Sequence, residues 1–259
     1  MYVKPKKHLG QHFLKDETVC QRMVAAIPAE DTGINILEVG PGTGALTKYL
    51  LKRSDFEVNV VEVDQESVQY LKINFPALEG RIHSLDFLKL DLPVLMGQEP
   101  FLVFGNFPYN ISSQILFKVL DYKDQIPSVV GMFQKEVAER IAKPPGSKQY
   151  GIISVLLQAF YDIEYLFTVN EDVFDPPPKV KSGVIKLVRN EVRSLDCDEK
   201  VFKRVVKTAF QQRRKTLRNS LKSMITEFVD KDLPIFSERP EQLSVDDFVK
   251  LTRLLIAAH

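Results

Sequence analysis

The sequence predicts an α/β protein: a mostly parallel sheet covered by helices, followed by a small all-helical domain. Three observations predict it. Short apolar strand patterns alternate with helical patterns up to about residue 190, the arrangement of a parallel sheet buried on both faces. The polar stretch NEVRSLDCDEK (190–200) then interrupts the pattern and reads as a linker. Beyond it only helical periodicity is found. The expected domains are therefore 1–190 and 191–259. A chain of 259 residues, 44% hydrophobic and 27% charged, suits one large or two modest globular domains.

The strand candidates, in order, are INILEVG (34–40), VNVVEVD (58–64), RIHSL (81–85), FLVFGN (101–106), SVVGMF (128–133), IEYLFTV (163–169) and GVIKLV (183–188). Helical patterns fill 16–27, 44–53, 65–74, 112–121, 134–142 and 150–161. Only NEDVFDPPPKVKS separates the last two strands, so an antiparallel hairpin at the sheet edge is expected. In the C-terminal region, helical patterns run over 198–211, 214–229 and 241–257.

ILEVGPGTGALT (36–47) ends the first strand and opens a helix. Its glycines at 40, 42 and 44 allow a sharp turn and close approach of a ligand. The spacing is G-x-G-x-G rather than the G-x-G-x-x-G of dinucleotide sites. Glu62 ends the second strand, placed to accept hydrogen bonds from ribose hydroxyls. Asp86, after the third strand, can accept from an adenine amino group. Glycine loop and carboxylates together imply an adenosine-type cofactor, and the loop spacing favours S-adenosylmethionine over NAD. No Gly-Lys-Ser/Thr follows, which disfavours a phosphate-gripping loop.

Asn106-Phe107-Pro108-Tyr109 follows the fourth strand, on the same edge of the sheet. An adenine exocyclic amine is a poor nucleophile because its lone pair is delocalised into the ring. Two acceptors aimed at its hydrogens favour a more tetrahedral, more nucleophilic nitrogen. The Asn106 side-chain oxygen can be one and the Phe107 carbonyl the other, with Pro108 restricting the backbone. Tyr109 offers a face for the base. This is catalysis by positioning and electrostatic preorganisation. A base taken from its stack needs aromatic walls, and Phe174 in the stiff VFDPPPKVKS segment is the candidate for the opposite face. The alternative for Phe174 is plain core packing.

Net charge is only +1, but it is segregated. Lys203 to Lys222 contains Lys207, Arg213, Arg214, Lys215 and Arg218 among its basic residues and no acid, and the first fifteen residues are likewise basic. Such faces attract phosphate backbones. Cys20 and Cys197 are far apart, in no metal-ligand spacing, and no metal is expected. No apolar run is long enough to span a bilayer. The basic start lacks an apolar core segment, so neither membrane nor secretion is expected and cytoplasm is the expected location.

These motifs resemble the small-subunit ribosomal RNA adenine dimethyltransferases, the family that confers kasugamycin sensitivity in bacteria. KKHLGQHFL, EVGPGTGALT, VEVD, FGNFPYNISS, FQKEVAERI, FDPPPKVKSGV and FQQRRKTLRNSL occur in the family's order, nearly end to end. The resemblance implies a Rossmann-like methyltransferase domain and a helical C-terminal rRNA-binding domain. It implies transfer of four methyl groups to two adjacent adenosines in the 3′-terminal hairpin of small-subunit rRNA. Carried over by position, His12, Leu14, Gly40, Gly42, Glu62, Asp86 and Asn106 would contact S-adenosylmethionine. Arg213, Arg214, Lys215 and Arg218 would face RNA, although they cannot all point one way on a helix. Two residues depart from the family pattern: His12 stands for an asparagine and Phe107 for a leucine. The expected partner is small-subunit rRNA within a 30S particle or its precursor, with the protein acting as a monomer. Three other readings are a large-subunit rRNA methyltransferase of the macrolide-resistance type, a DNA adenine methyltransferase and a non-catalytic assembly factor.

Overall fold

The computed structural model describes residues 2–227 and 229–256. Residues 228 and 257, which the sequence reading placed in helices, lie outside the described residues. The chain forms two compact units. One comprises residues up to Ala138 together with Ile163–Arg189. The other comprises Glu139–Asp162 together with the chain from Asn190 onwards.

In the first unit, β1 (Phe13–Leu14), α1 (Glu17–Ala25), β2 (Asn35–Val39), α2 (Thr47–Leu50), β3 (Val58–Val61), α3 (Gln65–Asn74), β4 (Ile82–His83), α4 (Leu92–Met96), β5 (Phe101–Asn106), α5 (Ser112–Asp121) and β6 (Ser128–Gln134) follow in order. Helix α6 (Lys135–Ala142) comes next, and the unit resumes with β7 (Tyr161–Val169), β8 (Phe174–Asp175) and β9 (Ser182–Arg189).

Seven strands form one sheet in the order β4-β3-β2-β5-β6-β9-β7. The pairs β4–β3, β3–β2, β2–β5 and β5–β6 are parallel, and β9 runs antiparallel to β6. The strands read as continuous apolar runs because both faces are covered. Ile36, Val60, Phe101 to Phe104, Val129 and Val130 are all fully buried. Strand β2 is central, with Glu38 opposite Val60 on one side and Phe104 on the other. That register brings Gly40, Glu62 and Asn106 to one edge of the sheet. Asp16 and Asp64 cap α1 and α3 by accepting from Val19 and Glu66 backbone N–H groups.

No local pattern marks the two-residue ladder between β1 and β8, in which Leu14 opposes Phe174 and Phe13 opposes Asp175. Two residues are too few for periodicity to register. The ladder nevertheless fixes the N-terminal segment beside the sheet.

The second unit contains α7 (Ile152–Gln158), α8 (Glu199–Gln211), α9 (Leu217–Ser220) and α10 (Val245–Ile256). Helix α8 buries Phe202, Val205, Val206 and Ala209, the spacing of one helical face. Tyr150, Phe210 and Phe248 form an aromatic run with centroid separations of 6.4 and 6.0 Å. Segment 139–162, which runs into the first two residues of β7, groups with this unit, and its helix α7 buries Val155, Leu156 and Leu157 and contacts α8 and α10. The helix expected over 214–229 shrinks to the single turn α9. The Leu217 N–H donates to the Glu238 carbonyl at 2.8 Å, so a non-local partner replaces a helical one. Leu217 and Leu221 are fully buried against this return of the chain.

Candidate active site

A cleft opens at the carboxyl ends of β2, β3 and β5, the position where open α/β sheets bind ligands. Its volume is about 890 Å³ with the open mouth included. His12, Leu14, Gly40, Gly42, Glu62, Asp86, Asn106, Phe107, Pro108 and Tyr109 all line it.

The glycine loop forms the floor. Gly42 has φ +56°, and a Cβ added to it would lie 2.8 Å from Phe13 Cε1. A side chain there meets both backbone strain and a ring, so the turn needs glycine. Glu62 is 5% exposed and binds the loop directly. Its Oε2 accepts from Gly42 N–H at 3.0 Å and its Oε1 from Asp64 N–H at 2.9 Å. Each oxygen keeps further acceptor capacity for a hydroxyl. Burial raises the Glu62 pKa, and the Asp64 and Gly42 amides oppose that rise. Glu38 is buried deeper, at 1% exposure, and burial pushes its pKa up to about 8. The Thr47 hydroxyl, donating at 2.6 Å, pulls the other way, while neighbouring Glu62 adds to the rise.

This set of acceptors fits S-adenosylmethionine. Ribose hydroxyls suit the free lone pairs of Glu62, and an adenine amine suits Asp86, whose Oδ1 also accepts from Leu88 N–H at 3.0 Å. A ligand carrying sulfonium and ammonium charges is favoured by a carboxylate-rich cleft.

The segment Lys6–Leu14 straps over the cleft and is tied at both ends. Lys6 Nζ pairs with Asp64, and Gln11 Nε2 donates to the same carboxylate at 3.3 Å. Burial works against the Asp64 charge, but Lys6, Ser67 and Gln11 outweigh it and hold the carboxyl below its usual range. At the other end the β1–β8 ladder takes over, extended by Lys15 N–H donating to Val173 O at 2.9 Å. Asp64 thus joins the strap to the backbone that orients Glu62. Sequence reasoning missed this role, although KKHLGQ and VEVD were its signals.

Asn106 Nδ2 donates to the His12 carbonyl at 3.1 Å. That fixes the amide and leaves Oδ1 as the acceptor for a ligand. The Phe107 ring is 1% exposed and packs edge-on against Phe133 at 5.1 Å. It lies over Gly131, where an added Cβ would run into the ring. With its side chain committed to the core, residue 107 can offer the cleft only its backbone. The Tyr109 hydroxyl bonds Ser182 Oγ at 2.5 Å, and burial raises the Tyr109 pKa. The His12 ring stacks on Tyr109, with centroids 5.5 Å apart and planes 26° apart. His12 Nδ1–H donates to the Pro176 carbonyl at 2.7 Å.

Phe174 does not reach the cleft. It is 1% exposed and packs in the core with Leu14, Met23 and Val130. The two-residue ladder alternates faces, so residue 174 turns inward with Leu14 and the exposed Asp175 turns out. The core-packing alternative describes its environment.

In the second unit the basic residues divide by environment. Arg213 is half-buried, with Nε 3.8 Å from Glu241 and Nη2 donating to Ser147 O at 3.3 Å. Arg218 donates to Lys231 O at 2.6 Å and Asp232 Oδ1 at 2.9 Å. Arg214 and Lys215 are exposed.

Comparison with known proteins gives a consistent result. The family model described as ribosomal RNA adenine dimethylase matches residues 3–250. The chain is 62% identical to ribosomal RNA small subunit methyltransferase A of Parabacteroides distasonis, covering 96% of this chain and 93% of that protein. It is 58% identical to the protein of that name from Cytophaga hutchinsonii, covering 98% of each. Among solved structures, a dimethyladenosine transferase from Plasmodium falciparum superimposes with TM-score 0.77 at 25% identity, covering 93% of this chain and 96% of that one. A 23S rRNA methyltransferase superimposes with TM-score 0.66 at 24% identity, covering 92% and 98%, and shares the fold. The chain belongs to the ribosomal RNA adenine dimethylase family, whose methyl donor is S-adenosylmethionine.

Proposed function

We propose that this protein dimethylates two adjacent adenosines in the 3′-terminal hairpin of small-subunit rRNA, acting as a cytoplasmic monomer on a small-subunit particle or its precursor. The observation that carries the reading is the geometry of Asn106. Its amide is anchored through Nδ2 to the His12 carbonyl, so Oδ1 is presented beside the glycine cradle.

Bound S-adenosylmethionine supplies an electrophilic methyl group on its sulfonium. Glu62 and Asp86 hold the nucleoside, and the 40–44 loop admits its close approach. Asn106 Oδ1 and the Phe107 carbonyl accept from the target amine and favour a tetrahedral nitrogen. Tyr109 stacks the base. These groups act by position and fixed dipoles, contributions worth several kcal/mol in a water-excluded site. No strong general base is needed, because the alkylated ammonium sheds its proton readily. Exposed Arg214 and Lys215 are the better candidates for phosphate contact, while Arg213 and Arg218 already hold carboxylates and carbonyls of the fold. Division of labour between a methyltransferase part, 1–190, and an rRNA-binding part, 191–259, remains the functional scheme. Segment 139–162 supports the second part structurally. Among the described residues no helix is long and apolar enough to cross a membrane.

The test is transfer of labelled methyl from S-adenosylmethionine to unmethylated small subunits, large subunits and duplex DNA, followed by nucleoside analysis. Dimethyladenosine from small subunits alone is expected. Label in large subunits or DNA would overturn the target. Tight small-subunit binding without label would favour an assembly factor.

A further inference from the structure

The Pro-rich segment 176–182 has no role in the reading above, yet it bonds the N-terminal strap at one end and the N-F-P-Y loop at the other. At one end the Pro176 carbonyl accepts from His12 Nδ1–H at 2.7 Å. At the other, Ser182 Oγ bonds the Tyr109 hydroxyl at 2.5 Å. The His12 ring lies against Tyr109, and the His12 carbonyl holds Asn106. Asn106, His12, Pro176, Ser182 and Tyr109 therefore close a ring of contacts drawn from three distant stretches of sequence.

We propose that Ser182 is a positioning residue for methyl transfer, fixing the direction of the Tyr109 ring against which the target adenine stacks. The inference rests on the reading that Tyr109 stacks the base. Tyr109 follows β5 in a loop with no ladder of its own, so its ring needs outside restraint. His12 covers one face, which leaves the opposite face for the base. A flat contact alone lets the ring slide, whereas a hydrogen bond at the phenol end fixes its direction.

Ser182 can supply that restraint because its own position is rigid. It opens β9, opposite Gln134 of β6. Next to it, a Cβ on Gly183 would lie 2.8 Å from Ala138 Cβ and 2.9 Å from the Tyr165 ring, so the strand is packed tightly. Ser182 is fully buried at a strand position where an apolar side chain would bury at less desolvation cost. A buried hydroxyl requires a partner, and Tyr109 is that partner.

The experiment measures single-turnover methylation of unmethylated small subunits by wild type, Ser182→Ala, Tyr109→Phe and the double variant, all full length. Affinity for S-adenosylmethionine and the ratio of mono- to dimethyladenosine are read in parallel. Each single variant is expected to lose about tenfold in rate, and the double variant little more, since both remove one interaction. Cofactor affinity should stay within about twofold, and monomethyladenosine should accumulate because the amine must be presented twice. A fold defect would lower the active fraction without changing the product ratio. Wild-type rates in Ser182→Ala, losses that multiply in the double variant, or an unchanged product ratio would overturn the inference. Label appearing in another RNA overturns only the substrate reading, and the same four proteins are then compared on that RNA. No label in any RNA overturns both.

Discussion

The polar groups of the cleft and the basic groups of the second unit sit in opposite environments. In the cleft, Glu38, Glu62 and Asn106 are buried or half-buried, and each holds a specified hydrogen bond. In the second unit, Arg214 and Lys215 stand in solvent. Low dielectric makes each cleft contact strong and intolerant of misplacement. Solvent and salt screen the basic face, so under the proposed function it would act by summed charge. Single substitutions should therefore abolish chemistry in the cleft and only reshape binding on the basic face.

The largest effect expected bears on what supports the cleft. Phe174→Ala removes a fully buried ring from behind Leu14 and should destabilise the fold by about 3–5 kcal/mol. Denaturant unfolding measures it, and near wild-type stability with a lost rate would return Phe174 to the stacking role.

On the proposed mechanism, Asn106→Ala removes the acceptor for the target amine. We expect a rate loss of about two orders of magnitude, with cofactor affinity changing much less. Near wild-type turnover would remove Asn106 from the mechanism.

Glu38 tests the buried side through pH. Its pKa rises on folding from 4.5 to about 8. The folded state therefore binds the proton more tightly, and this contribution to stability is full below pH 4.5 and lost as pH rises through 8. Melting of the cofactor-free protein from pH 5 to 8.5 should show wild type losing Tm relative to Glu38→Gln. Parallel curves for the two proteins would refute the raised pKa.

The smallest effect is expected on the basic face. Replacing Arg214 and Lys215 by alanine should weaken RNA binding at low salt and flatten the slope of log K against log salt by about 1.5. An unchanged slope would move the contact surface elsewhere. If the pair instead abolished catalysis at every salt concentration, the contrast between the two regions would fail.

The sequence by itself determined the seven sheet strands and the carboxyl edge where the site lies. Continuous apolar runs such as Phe101–Phe104 and glycines at 40, 42 and 44 are local signals of buried strands and a tight turn. Glu62, Asp86 and Asn106 were legible as candidates because each lies at or just after the end of a strand pattern. Only the tertiary structure decided what lies behind and around them. It turned Phe174 into the core, gave segment 139–162 to the second unit, and reduced the 214–229 helix to one turn. It also bound Lys6 to Asp64 and Ser182 to Tyr109. Those outcomes rest on single hydrogen bonds and two-residue ladders between positions tens of residues apart. Such contacts leave no periodicity in the chain, since they exist only once the sheet has brought their partners together.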